Sequence, residues 1–423
     1  MPASIGVELS TAERLDLVES VALTLYRNGE GTEESLRCAE SLSRSLDVPV
    51  SIDASWGELT ISEHAATKPL SIFRIVEALP ISTGLNRVVA VRGIAYALAA
   101  GHAEPRGSAC AIQTASTQPP SNVYLFAAAC VAGGVSLAVI FGAQQWQAFT
   151  LLSLSCALGA FARRWLASLD AGAVGQAFGA ALIAGLIGAA AVRLDVSSEL
   201  RLVAVCACML LVPGPHILNG SIDLIRLRIP LGLARLVFAG LIVVGICAGL
   251  LLGLSLGGAD LSPSSPGREV SLWLDVPAAG VAAGSYCIFF SMPLRFLCWP
   301  VAIGMLAHAA RWYAMSKLGL NAPLGAGIAC IVVSAITTPL APLLRLPFAG
   351  VTFASVVSLI PGLYLFRFVS GLIEPTLTPA ILEAIVADIT TATLVVMGMT
   401  VGLVLPKWAY EHWRQFATES TAK

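Results

Sequence analysis

The chain reads Pro-Gly-Pro-His-Ile-Leu at residues 213–218, near the end of one long apolar run, and Pro-Gly-Leu-Tyr-Leu-Phe at residues 361–366, near the end of another. Proline lacks the amide proton that a helix interior needs, and glycine has the largest entropy cost in a helix. Pro213-Gly214 and Pro361-Gly362 therefore predict two helix breaks. In lipid, the backbone groups released by a break must be satisfied by protein or water, so such breaks line cavities.

The composition indicates a membrane protein with a small soluble region. Hydrophobic residues make up 57% of the 423 residues and charged residues only 12%, whereas soluble domains contain about 25% charged residues. Residues 1–120 contain 9 Lys/Arg and 14 Asp/Glu, and the much longer stretch 121–423 contains 16 and 12. We therefore expect a soluble amino-terminal domain with its linker at 1–120, followed by a membrane domain.

The amino-terminal part has the hydrophobic periodicity of a mixed α/β domain. The pattern predicts helices at Ala12–Asn28, Thr32–Leu46 and Leu85–Ala100, strands at Val48–Ile52, Glu58–Ser62 and Ser71–Glu77, and a linker at Gly101–Ser121.

Ten apolar runs follow, and a membrane span needs roughly 20 such residues. They lie near Val123–Phe141, Ala148–Ala162, Ala171–Val192, Leu200–Leu218, Leu236–Leu256, Ala278–Met292, Phe296–Tyr313, Pro323–Leu344, Val351–Phe368 and Ala380–Leu405. The polar loop 257–277 separates a first five-helix module (121–256) from a second module with its carboxy-terminal tail (278–423).

Five spans in each module, with a Pro-Gly pair in the fourth span of both, suggest a duplication. Because five is odd, related halves must have opposite orientations in the membrane, which is an inverted repeat. The expected fold class is an all-α polytopic membrane protein with ten transmembrane helices in two inverted five-helix repeats, plus the small α/β cytoplasmic domain. Such a design places a transport site between the halves.

The orientation follows from the amino terminus and from the basic residues. The first residues lack the basic patch and apolar core of a signal peptide, so we expect the amino-terminal domain to be cytoplasmic. Loops that this orientation places inside contain a mild excess of Lys and Arg. Both termini are then cytoplasmic, and the loop 257–277 is periplasmic.

Ionisable groups inside a membrane are costly, so each is a functional candidate. Asp388 lies eight residues into the last span, about 12 Å deep at ~1.5 Å per residue, and Thr391 shares its helical face. Asp388 could carry a proton or bind an ammonium group, or it could be an interfacial side chain that reaches water. Glu383, one turn from the start of the span, suits the interface better.

A second group of candidates follows the first Pro-Gly pair. His216 could titrate near neutral pH, and Tyr364 occupies the matching place after the second pair. Asn219 offers a donor and an acceptor to an unwound backbone. Asp223 lies near the start of the amphipathic segment Ser221–Ala234 and Arg235 directly follows it; this segment could instead be a helix in the cytoplasmic interface.

Several further patterns indicate packing or exclude function classes. Gly245, Gly249, Gly253 and Gly257 recur every four residues, which is typical of close helix packing. The sequence contains no CxxC pair, zinc cluster, GxxxxGK[ST] loop or GxSxG elbow. We therefore expect no metal, no cofactor, no nucleic-acid partner and no enzymatic activity.

Residues 211–224, together with Gly-Leu-Ala-Arg at 232–235, resemble the threonine/serine exporter family. Its members show the same order of Pro-Gly, Asn-Gly, Asp-Leu and Gly-Leu-Ala-Arg, and Gly-Leu-Asn-Arg at 84–87 and Pro-Gly-Leu-Tyr at 361–364 are also similar. The resemblance covers nearly the whole chain in a fused single-chain form. This chain departs from many members at Arg226-Leu227-Arg228, where they carry an acidic residue, and around Lys68–Pro80.

The resemblance implies a secondary transporter of the bacterial inner membrane that exports threonine, serine or similar metabolites with the proton gradient. Its partners would be lipid, the substrate and protons. The resemblance also allows a homo-oligomer. Export of dicarboxylates such as succinate, as in relatives split into two chains, is a rival function, because Arg226, Arg228 and Arg235 suit an anion. The chain could also be a membrane-anchored enzyme or a sensor that uses the amino-terminal domain.

Overall fold

The structure is a computed structural model that describes residues 9–63, 73–193, 200–259, 270–344, 346–373 and 378–421. The chain forms two compact units. Unit 1 contains Met1–Pro120 with the short segments Phe290–Met292 and Leu343–Gly350, and unit 2 contains the remainder.

Unit 1 has the predicted mixture of helices and strands. The predicted helices and strands occur with boundaries shifted by a few residues, although residues 71 and 72 of the third predicted strand lie outside the described residues. The elements are α1 (Thr11–Arg27), α2 (Thr32–Ser45), β1 (Val50–Ser55), β2 (Gly57–Glu63), β3 (Phe73–Ala78), α3 (Leu85–Ala99) and α4 (Pro105–Ser116). The strands form an antiparallel sheet in the order β1-β2-β3.

The first helix shows how local sequence defines this unit. Ser10 accepts a hydrogen bond from the Glu13 amide, and the Glu13 side chain accepts one from the Ser10 amide, which is a capping box. Leu15, Val18 and Leu25 are buried on one face of α1. The core of unit 1 is therefore built on the 3.6-residue periodicity visible in the sequence.

A buried ion pair adds a polar element to this core. Nη1 of Arg92 on α3 lies 2.9 Å from Oε2 of Glu30, and both side chains are almost fully buried. Burial raises the pKa of the nearby Cys38 thiol to about 11, so this thiol stays protonated at neutral pH.

The predicted linker Gly101–Ser121 is wrong over most of its length, because α4 occupies it. Pro105 stands in the first turn, where its missing amide proton costs nothing. Ser108, Ile112 and Ala115 are buried at helical spacing. Small residues produce a weak hydrophobic signal, so the abundance of Gly, Ser and Thr concealed the helix.

The long apolar helices lie in unit 2, except that Leu343 and residues 348–350, at the ends of two of them, belong to unit 1. They are α5 (Val123–Ile140), α6 (Trp146–Ser168), α7 (Ala173–Arg193), α8 (Leu200–Met209), α9 (Gly214–Ile225), α10 (Ile229–Leu256), α11 (Leu272–Phe289), α12 (Cys298–Ser316), α13 (Ala322–Leu343), α14 (Phe348–Val356), α15 (Gly362–Ile373) and α16 (Pro379–Thr421). Because α11 begins at Leu272, the last six residues of the range assigned to the loop 257–277 are helical.

Among the described residues, six helices are long and apolar enough to cross a membrane. Two bent pairs, α8 with α9 and α14 with α15, raise the number to eight if each pair is one span. The helices α6 and α12 contain 23 and 19 residues. They are long enough to span a membrane, but they are not among these six apolar helices. The polytopic all-α class is therefore confirmed, and the number of ten spans stays a prediction.

The two halves of the membrane part repeat one order of elements. Each half has three helices, then a bent pair, then one long helix. The first helices of the halves, α5 and α11, approach closely at Gly133, where an added Cβ would lie 3.1 Å from Cβ of Ser285.

Gly245, Gly249 and Gly253 of α10, with Gly257 directly after it, form the predicted packing seam against α7. An added Cβ at Gly253 would lie 2.9 Å from Cα of Gly185 on α7, and one at Gly249 would clash with the carbonyl oxygen of Phe178. Glycine at these positions lets the two helix backbones touch.

We expect Gly253→Ala to lower the free energy of unfolding by about 1–3 kcal/mol, because the methyl group has no room between the backbones. The matched control is Gly240→Ala on the same helix, where an added Cβ meets no atom within 4 Å. Thermal unfolding in detergent micelles measures both variants. Equal melting temperatures for the two variants would contradict the tight seam.

Candidate functional site

Both Pro-Gly pairs break a helix, as the sequence predicts. The axes of α8 and α9 bend by 53° around Pro213, and those on either side of Pro361 bend by 59°. The amide of Gly214 donates to the carbonyl of Val212 at 2.8 Å, and that of Gly362 donates to Ile360 at 2.7 Å. The two breaks therefore share one local turn. Each lies near the middle of its bent pair, with a 12-residue helix after it.

The two breaks pack against each other. A Cβ added at Gly214 would clash with Cδ1 of Ile360, the residue before the second break. Reciprocally, a Cβ added at Gly362 would lie 3.2 Å from Cγ2 of Val212, the residue before the first break. The amino-terminal ends of α9 and α15 thus meet in the interior of unit 2. Glycine at both positions allows this close approach because it has no side chain.

Side chains of the second half hold both breaks. The Tyr286 hydroxyl on α11 donates to the carbonyl of Met209, the last residue of α8, at 3.1 Å. At the second break, the 3₁₀ turn Val357–Leu359 carries Ser358, whose Oγ lies 2.7 Å from Nε2 of His308. Buried backbone and hydroxyl groups need such partners. Tyr286, Ser358 and His308 are not among the predicted site residues.

His308 is the centre of a buried chain of polar groups. Its Nδ1 lies 3.0 Å from Oδ2 of Asp275 on α11, and its side chain has no exposed surface. Asp275 itself is 4% exposed. Arg311, one turn further along α12, interacts electrostatically with Asp275 and with Tyr364. Tyr364, a predicted site residue, is therefore coupled to this chain of contacts through Arg311.

Asp223 and Arg235, both predicted as candidates, form a buried ion pair. Nε of Arg235 lies 3.1 Å from Oδ2 of Asp223, and Nη1 of Arg228 lies 3.6 Å from Oδ1. The pair follows a close approach of α9 and α10, where an added Cβ at Gly220 would lie 3.0 Å from the Gly232 carbonyl oxygen. The motifs Asn-Gly-x-x-Asp and Gly-Leu-Ala-Arg thus pack against each other. Gly220 contacts Gly232, and the charged residues Asp223 and Arg235 lie one turn further along their helices.

The interpretation of Ser221–Ala234 as one interfacial helix is wrong. The helix α9 ends at Ile225 and α10 begins at Ile229, with Leu227 at a φ of 61° between them. The pairing of Asp223 with Arg235 favours a tight helical hairpin over a single helix, because it offsets both buried charges.

Asp388 is buried and pairs with Arg367, which is not among the predicted site residues. Nε of Arg367 on α15 lies 3.0 Å from Oδ2 of Asp388 on α16, and the Arg367 side chain is 41% exposed. Arg367 is helical, and it lies within the predicted apolar run Val351–Phe368. Thr391 donates to the carbonyl of Ala387, and Glu383 is exposed.

The remaining predicted residues are buried beside the first break. His216 is 8% exposed and its ring packs edge-on against Phe238, with centroids 5.0 Å apart. Asn219, one turn further along α9, is 4% exposed.

An open cavity of about 550 Å³ lies between α9, α10, α15 and α16. Its lining is almost entirely apolar, with Leu224, Val243, Phe368 and Val396 as typical members. Such a surface suits hydrocarbon and offers few partners to a charged solute. The charged pairs described above are therefore better candidates for recognition of a polar substrate.

Two family models match the chain. The first, described as a threonine/serine exporter, matches residues 16–257, and the second, described as "Threonine/Serine exporter, ThrE", matches residues 275–409. No solved structure matches the chain. The first match alone covers more than half of the 423 residues. The chain therefore belongs to the threonine/serine exporter family, whose members are membrane transporters and not enzymes.

Proposed function

We propose that this chain exports threonine and serine from the bacterial cytoplasm across the inner membrane, driven by the proton gradient. The family matches support an amino-acid exporter. The observation that carries the proposal is the reciprocal packing of the two helix breaks, Gly214 against Ile360 and Gly362 against Val212. Transporters use such paired breaks to expose backbone groups and helix ends to a substrate.

The architecture in this proposal is ten spans in two inverted five-helix repeats, with both termini in the cytoplasm. The equal order of elements in the halves and the shared turn at both breaks support it. The helices α6 and α12 would be the two more polar spans. Polar spans are tolerated where they face a bundle interior.

The Arg367–Asp388 pair is our candidate for substrate recognition. An amino acid carries an ammonium and a carboxylate close together, which match the opposite charges of Asp388 and Arg367. Because Arg367 is 41% exposed, a solute could reach the pair and exchange its internal contact for two contacts with the substrate. Charge-assisted hydrogen bonds of this kind are the strong ones.

The other predicted residues would support the site from its surroundings. His216, Asn219 and Tyr364 follow the breaks and offer polar groups to the same region, while Thr391 and Glu383 lie on the helix that carries Asp388. Asp223 and Arg235 would hold α9 against α10. Because Arg228 and Arg235 both lie against Asp223, their charges are less suited to a dicarboxylate than the sequence suggested.

Transport by the purified full chain in liposomes tests the proposal. We expect labelled threonine and serine to leave the vesicles faster when the outside is acidified, because inward proton flow then drives export. A protonophore is expected to remove this stimulation, and labelled succinate should not leave above the rate of empty liposomes. Faster movement of succinate than of threonine would overturn the assignment of the substrate.

A further inference from the structure

We propose that Asp275, His308 and Ser358 form the proton-coupling site, and that protonation of His308 acts on the second helix break through Ser358. The inference deepens the proposed function, because it assigns the site at which the driving proton binds. Three observations carry it: the geometry of the chain of contacts, the burial of Asp275 and His308, and the position of Ser358 at the break.

The geometry defines where the hydrogen atoms lie. An ionised carboxylate only accepts hydrogen bonds, so the contact of 3.0 Å between Oδ2 of Asp275 and Nδ1 of His308 requires a hydrogen on Nδ1. In neutral histidine, Nε2 then carries no hydrogen and accepts from the Ser358 hydroxyl at 2.7 Å. Every polar atom of the ring is therefore satisfied in the neutral form.

Proton uptake reverses one of these bonds. A proton that binds at Nε2 gives an imidazolium, and its positive charge is offset by the Asp275 carboxylate on the other side of the ring. Nε2 then donates to Oγ of Ser358, and the Ser358 hydroxyl hydrogen must turn to another acceptor. Release of the proton from Nε2 restores the first state, so the step is balanced and needs no other reactant.

The position of Ser358 connects this reversal to the transport machinery. Ser358 lies in the 3₁₀ turn that ends at Leu359, directly before Ile360 and the break at Pro361. Ile360 is the residue that packs against Gly214 of the first break. A change in the hydrogen bond at Ser358 therefore acts on the segment that joins the two breaks.

Opposing influences act on the charge of His308. Burial opposes the imidazolium most strongly and Arg311 on the same helix adds to this, while Asp275 on α11 favours it by its hydrogen bond and its charge. Tyr364 on α15 interacts with Arg311. Histidine is the side chain whose charge ordinarily changes between pH 5 and 8, and buried ionisable groups in a membrane are costly to keep without a function.

Hydrogen–deuterium exchange of the peptide that covers residues 357–366 tests the proposal without relying on transport. In detergent micelles, after correction for the intrinsic exchange rate at each pH, we expect protection of the wild-type peptide to change by at least about threefold between pH 5 and 8. His308→Gln keeps a polar side chain without the titration, so its protection should not depend on pH. The matched control His412→Gln replaces an exposed histidine and should behave as the wild type.

Transport assays then separate this inference from the proposed function. His308→Gln should lose proton-driven export of threonine by at least about tenfold and retain exchange of threonine for threonine, which moves no net proton. If His308→Gln does not fold, Ser358→Ala replaces it in the hydrogen–deuterium exchange measurement. Its protection at residues 357–366 should also not depend on pH, because the variant lacks the hydroxyl that links His308 to the break. An unchanged pH dependence in the folded variants would overturn the proton site, whereas absence of threonine transport by the wild type would overturn only the proposed function.

Discussion

Asp223→Asn is expected to lower the free energy of unfolding by about 3–5 kcal/mol, the usual cost of removing one partner of a buried ion pair. Asp223 is 2% exposed and Arg235 is 1% exposed, so water cannot replace the lost carboxylate beside the guanidinium. Arg235→Met should cost less, because Asp223 keeps Arg228, whose side chain is 30% exposed, as a second cation at 3.6 Å. Chemical unfolding in detergent micelles measures both variants.

The double variant Asp223→Leu/Arg235→Met is the decisive control. It removes both charges, and apolar side chains of similar size often restore the stability of a buried ion pair. We therefore expect the double variant to be more stable than Asp223→Asn. If the double variant were the least stable of the three, the attraction within the pair would contribute net stability beyond offsetting its two buried charges.

The helix breaks could be predicted from sequence because their cause is local. Proline and glycine disrupt a helix wherever they stand in its interior, so Pro213-Gly214 and Pro361-Gly362 need no tertiary information. The same holds for the glycine seam of α10, whose four-residue period is a property of one helix. The reciprocal contact between the breaks follows only from the fold, although their matching positions pointed to it.

The buried polar chain could not be predicted, because its members are far apart in sequence. Asp275 and His308 are 33 positions apart, and His308 and Ser358 are 50 apart. Asp275 was also assigned to a loop, since the charge and Pro277 lower the apolar signal at the start of α11. Similarly, the pairing of Arg367 with Asp388 depends on how α15 packs against α16, which the sequence pattern does not show.

Asp388→Asn is expected to reduce transport of threonine by about 10- to 100-fold, because a hydrogen bond to a charged group contributes about 1.5–3 kcal/mol. If Asp388 binds the ammonium of the substrate, proton-driven export and exchange should fall together. The measurement is the rate of both processes in liposomes. Asp170→Asn is the matched control, because it makes the same chemical change at an exposed turn between α6 and α7.

Arg367→Gln should give the same joint loss if the two charges bind one substrate molecule, and the double variant should be little worse than either single variant. This pattern differs from that of His308→Gln, which should lose driven export and keep exchange. The contrast assigns substrate binding to the Arg367–Asp388 pair and proton binding to His308. Preserved exchange in Asp388→Asn would instead make Asp388 a proton carrier, and near-normal export would show that it has neither role.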